Sequence, residues 1–103
     1  EELYTDLQLK IDEIAERILT LGGAPMHSFG AYLQESRIKA VENVKEGRKA
    51  VTAVVQSFST VVALQRELLE LSAEARDEGT NALMSDYIRQ QEKLIWMYSA
   101  YLG

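Results

Sequence analysis

The chain has 103 residues, 16 acidic and 11 basic, with a formal net charge of −5, 47% hydrophobic residues and no cysteine. The apolar fraction is that of a globular domain and argues against disorder, the lack of cysteine excludes a disulfide scaffold and a cysteine zinc site, and the acidic balance disfavours a basic face for nucleic acid. No run of about 18 apolar residues spans a membrane, no signal-peptide or lipidation pattern occurs, and with one histidine a metal held within one chain must lean on carboxylates.

Six glycines and one proline punctuate the sequence. Long stretches lack both, which predicts an all-α fold. The first helix is expected from residue 1 to about 21. Leu3, Leu7, Ile11, Ile14, Ile18 and Leu21 recur at spacings of three and four, the amphipathic signature. Gly22-Gly23 stops it and Pro25 prevents a restart. The helix opens on Glu1-Glu2-Leu3-Tyr4 without a capping residue, so the natural chain is expected to be longer at its N-terminus.

A loop carrying the sole histidine, His27, comes next, and packing is the role expected of that residue. Ser28 reads as the N-cap of a short helix, Phe29 to about Ser36. Asn43 reads as the cap of a long helix from about Val44 to Arg76. Its stripe of Val51, Val54, Val55, Phe58, Val61, Val62, Leu68 and Leu69 is the candidate core. The valines lower helix propensity by a few tenths of a kcal/mol each. Burial at about 1.5–3 kcal/mol per side chain outweighs that. Gly79 marks the expected break, and a last helix runs from about Thr80 to Leu102, with Leu83, Tyr87, Leu94, Tyr98 and Tyr101 in one row. Trp96 and the tyrosines read as packing residues. Three long helices and a short one fit a bundle that usually has four. The 103 residues are therefore expected to form a single domain from which one partner helix is missing.

The first helix carries an organised acidic face. At about 100° per residue, with Asp12 as zero, Glu16 lies near +40°, Glu1 near −20° and Thr5 near +20°. The Leu/Ile stripe lies opposite, at roughly 180° to 260°. Glu1, Asp12 and Glu16 thus point away from the core, flanked by Leu9 and Leu19. The ordinary solvated face carries Glu2, Asp6, Lys10, Glu13 and Arg17. Asp12 and Glu16, at i and i+4, repel by a few tenths of a kcal/mol in water, and a cation turns that repulsion into coordination. Two carboxylates suit hard ions and iron. The alternative is a solvated acidic pair partnered by Arg17 or Lys10. No Glu-x-x-His motif is present, so a metal site inside one chain's core is not expected, and the geometry points to a subunit interface.

The segment Asp12-Glu13-Ile14-Ala15-Glu16-Arg17, followed by Gly22-Gly23-Ala24-Pro25, resembles the signature of the Dps family, the ferritin-like mini-ferritins named for DNA protection during starvation. Glu1-Glu2-Leu3-Tyr4 is similar to the end of that family's His-Glu-x-Phe-Glu-Glu-Leu-Tyr stretch. Glu92-Lys93-Leu94-Ile95-Trp96-Met97, with Ala100-Tyr101-Leu102-Gly103, is similar to its closing helix. The resemblance implies a ferritin-like four-helix subunit, of which this chain supplies three long helices and a short connecting one. It implies a hollow dodecamer in the cytoplasm, with ferroxidase centres at two-fold interfaces. There ferrous iron is oxidised, with hydrogen peroxide the preferred oxidant, and ferric mineral is stored. By position, Asp12 and Glu16 are the catalytic carboxylates and iron ligands, with Glu1 a further ligand. The resemblance also implies two histidine ligands, expected from a segment upstream of Glu1. Asp77 and Asp86 fall where the family lines an iron-entry pore. Lys45, Arg48 and Lys49 are too few to argue for DNA binding. The alternative function is a non-catalytic helical assembly protein whose acidic face binds a partner.

Overall fold

The computed structural model describes residues 2–26, 29–38 and 47–103. The predicted positions Glu1, His27, Ser28 and Asn43 lie outside them, as do residues 44–46 at the expected start of the long helix. The chain divides into two compact units, Glu1–Ser36 and Arg37–Gly103.

In the first unit, α1 spans Glu2–Thr20 and α2 spans Phe29–Glu35. Gly22 and Gly23 terminate α1 as the sequence predicts. The Gly22 amide donates to the Leu19 carbonyl at 3.0 Å and the Gly23 amide to the Ile18 carbonyl at 2.8 Å. This 5→2 and 6→1 pairing is a Schellman motif, which needs a left-handed residue at its turn. Gly22 supplies it with φ 91°. A Cβ on Gly23 would stand 3.0 Å from the Ile18 side chain. The Tyr32 hydroxyl donates to the Met26 carbonyl at 3.0 Å and ties α2 to the loop before it.

The α1 stripe is not the closed core that its periodicity suggests. Leu3, Leu7 and Ile18 are half-buried, whereas Ile11, Ile14 and Leu21 are exposed. Ile11, Ile14, Ala15 and Ile18 wall one side of an apolar cleft of about 320 Å³, and Pro25, Met26 and Tyr32 wall the other. Periodicity reports which side of a helix is apolar, and the number of partners covering it is a separate matter.

In the second unit, α3 spans Gly47–Glu74 and α4 spans Glu78–Leu102. The two pack antiparallel, with register pinned at both ends. At one end the Asn81 carboxamide donates to the Leu69 carbonyl at 2.9 Å and to the Ser72 hydroxyl at 3.3 Å. At the other the Arg48 guanidinium donates to the Leu102 carbonyl at 2.6 Å, a cation placed on the negative end of the α4 dipole. An Arg66–Glu92 ion pair joins the middle. Phe58 and Val62 of α3, with Met84 and Tyr87 of α4, are the fully buried apolar residues among those described. The remaining valines are half-buried, Leu68 is exposed, and Trp96 and Tyr101 lie on the surface.

The expected break at Gly79 falls elsewhere. Gly79 lies in the first turn of α4, and α3 stops at Glu74, short of the expected Arg76. The chain reverses through a second Schellman motif. The Arg76 amide donates to the Ala73 carbonyl at 3.1 Å and the Asp77 amide to the Ser72 carbonyl at 2.8 Å. Arg76 takes the left-handed turn with φ 58°. Glycine is tolerated in a first helical turn because the amides there have no intrahelical acceptor.

Candidate metal centre

Asp12 and Glu16 stand one helical turn apart on α1, and both are exposed. Four residues of helix advance about 6 Å, so two carboxylates can converge on one ion. Among the described residues neither carboxylate is held in an ion pair. The Glu16 backbone carbonyl accepts from the Thr20 hydroxyl at 2.7 Å, which satisfies a last-turn acceptor and leaves the side chain uninvolved.

The surroundings of the pair are unusual for a solvated helix face. Tyr4 is 71% exposed, Leu9 59% and Leu19 60%. In angle they flank Asp12 and Glu16 on both sides, so the acidic face has an apolar rim. Among the described residues no group of three or more His, Asp or Glu side chains is placed to hold a metal. The two carboxylates are what this chain's described residues offer.

Lys10 departs from its expected place on the solvated face. It is buried, 6% exposed, with its ammonium 2.7 Å from Asp6 Oδ2. Its helical angle, about 160° from Asp12, borders the Leu/Ile stripe. A long aliphatic stem there follows the apolar surface while the charge finds a carboxylate. The ammonium is therefore turned toward Asp6 and away from the Asp12–Glu16 face.

Asp77 and Asp86 are separated by nine residues, about 13 Å of helix rise, so one chain does not bring them together. Asp77 is the N-cap of α4. Its carboxylate accepts from the Thr80 amide at 3.2 Å and from the Thr80 hydroxyl at 2.6 Å. The Asp-x-x-Thr spacing before a helix carries that signal in the sequence. Asp86 is exposed, with Arg89 at 3.5 Å. Glu1 lies outside the described residues. No described helix is long and apolar enough to cross a membrane.

Residues 1–103 match the model of the ferritin-like domain. An uncharacterized protein of Haemophilus influenzae is 47% identical over 100 residues, covering 97% of this chain and 62% of the relative. A DNA protection during starvation protein of Porphyromonas gingivalis is 41% identical over 101 residues, 98% of this chain and 64% of the relative. The crystal structure of a Dps protein from Vibrio cholerae O1 superposes with a TM-score of 0.97 at 57% identity, over 99% of this chain and 64% of that one. That structure is described as a member of a broad superfamily of ferritin-like diiron-carboxylate proteins. The chain thus spans less than two thirds of the length of these relatives. It belongs to the ferritin-like family, in its Dps branch.

Proposed function

We propose that the protein is a mini-ferritin that oxidises ferrous iron at centres shared between subunits, stores the ferric product in a hollow dodecamer and so protects DNA. The observation that carries this reading is the Asp12–Glu16 pair on α1, free of ion pairs among the described residues and rimmed by exposed Tyr4, Leu9 and Leu19. A second copy covering such a face gains about 25 cal/mol per Å² of apolar area removed from water. It also desolvates two carboxylates, which is costly unless a cation lies between them. The assembled face therefore selects for a bound cation.

Ferrous iron is the substrate. Anionic oxygen ligands favour the ferric over the ferrous state because the charge they face is larger. One electron leaves each of two ferrous ions, a peroxide takes up the pair, and its O–O bond breaks to give water as protons are taken up. The ferric product hydrolyses and passes to the store. Removing ferrous iron and peroxide together suppresses hydroxyl-radical formation, which fits the naming of the relatives for DNA protection. Glu1 and two histidines from outside these residues complete the ligand set in this reading, and an acidic pore containing Asp86 admits iron by concentrating cations.

The test is the double substitution Asp12→Ala, Glu16→Ala in the assembled protein. Rapid oxidation of ferrous iron by peroxide is lost while the particle keeps its size. Unchanged oxidation kinetics overturn the site. A variant that loses assembly but not oxidation supports the other reading, in which the acidic face binds a protein partner without catalysis.

A further inference from the structure

A polar layer crosses the α3–α4 seam. Gln65 is 6% exposed and Gln91 2%. Gln65 shares the buried stripe of α3 with Phe58, Val62 and Ser72, and Gln91 shares that of α4 with Met84 and Tyr87. The carboxamide oxygens Gln65 Oε1 and Gln91 Oε1 are buried and accept no hydrogen bond from any described residue. A buried amide acceptor left unmade is disfavoured strongly enough that native cores almost always satisfy it. Two in one helix pair require a common explanation.

Register supplies it. The Asn81–Ser72 hydrogen bond and the Arg66–Glu92 ion pair fix the antiparallel alignment. Counted from these two, Gln65 and Gln91 lie within roughly 5 Å of each other along the pair axis, and counted from the Asn81–Leu69 and Arg48–Leu102 bonds about 9 Å, which is within the combined reach of two glutamine side chains. A notch of about 340 Å³ opens at the same level, lined by Ser59, Val62, Arg66, Glu92 and Ile95. Neither glutamine lines the notch, but their chain neighbours Arg66 and Glu92 do, so solvent reaches to within one residue of each. A water molecule occupies about 30 Å³ in the liquid.

We propose that Gln65 and Gln91 hold an internal water between α3 and α4, donating one hydrogen bond to each carboxamide oxygen. The chemistry of the pair selects this ligand. Both protein groups are acceptors, so the ligand must donate twice. A cation also suits two carbonyls, but Arg66 and Glu92 already neutralise each other there. A buried positive charge without a counter-charge is far more costly than a neutral water.

A high-resolution crystal structure of the assembled protein tests the site directly. The expected result is a density peak about 2.5–3.0 Å from both oxygens. Direct contact between the two carboxamides, or a protein donor in that place, overturns the proposal. Thermal denaturation of Gln65→Leu, Gln91→Leu and the double variant gives an independent reading. Each single change expels the water and strands the other oxygen, lowering the melting temperature by several degrees, and the double variant loses less than the sum. Single variants that each raise the melting temperature, additively, mean two unconnected orphan oxygens and overturn the proposal.

Discussion

Asp77 and Thr80 close the N-terminus of α4 on each other, the Asp77 carboxylate accepting both the amide and the hydroxyl of Thr80. Asp77→Ala removes the cap and lowers stability by about 1 kcal/mol, read by thermal or chemical denaturation. Asp77→Asn keeps an acceptor oxygen and most of that stability. It also separates capping from charge. Its charge sits on the positive N-terminal end of the α4 dipole, which offsets part of its field, so Asp77→Asn is expected to slow iron uptake less than Asp86→Asn. Asp86→Asn slows uptake, most clearly at low ionic strength, where an acidic funnel acts at longest range. Equal slowing in both variants removes the distinction drawn between them.

Arg76 holds a position that glycine fills in the other Schellman motif of the chain. Its φ of 58° costs a side-chain-bearing residue about 1–2 kcal/mol. Arg76→Gly therefore raises stability, by about 1 kcal/mol after the greater freedom of glycine in the unfolded chain is counted. Gly22→Ala places a Cβ at φ 91° and lowers stability by a comparable amount. Equilibrium denaturation of the pair checks both signs, and a destabilised Arg76→Gly contradicts the strain argument.

Among the described residues the sequence revealed the helices because each long one carries a recurrent apolar stripe, and the glycine pair after Thr20 ends α1. It misplaced the α3–α4 break because Gly79 is the more familiar punctuator, while the actual reversal uses Arg76 in a conformation that residue type does not announce. The exposure of Asp12 and Glu16 was legible from helical angle alone, since both lie opposite the Leu/Ile stripe. Lys10 was not. At the margin between stripe and solvated face, angle cannot decide burial, and the Asp6 carboxylate one turn away does. Gln65 and Gln91 were equally silent, because a glutamine within an apolar stripe carries no mark of whether its amide is satisfied.

Leu19 tests whether the acidic face is covered in the assembly. It is 60% exposed and lies at about −20° from Asp12. Exposed substitutions of this kind change the stability of the helix itself by less than about 0.5 kcal/mol. Leu19→Lys should therefore leave the helical circular dichroism unchanged. At a subunit contact it buries a charge, which shifts the particle to smaller species in analytical ultracentrifugation. A Leu19→Lys particle of unaltered mass places the interface elsewhere.

Lys10 is the strongest local test of what electrostatics contributes to α1. Its side chain is 7% exposed, yet the Asp6 side chain opposite is 43% exposed, so the pair is buried on one side and solvated on the other. Desolvating an ammonium offsets most of the attraction gained from a half-solvated carboxylate. Lys10→Met keeps the length of the stem and its apolar packing while removing that desolvation. Its stability should therefore stay within about 1 kcal/mol of the parent, or rise. Lys10→Glu buries a charge of the same sign as Asp6 and should lose about 3 kcal/mol or more. A Lys10→Met variant that loses as much as Lys10→Glu means that the contacts of the ammonium outweigh its desolvation, and that the burial of Lys10 reflects a requirement for charge at that position and not the path of its stem.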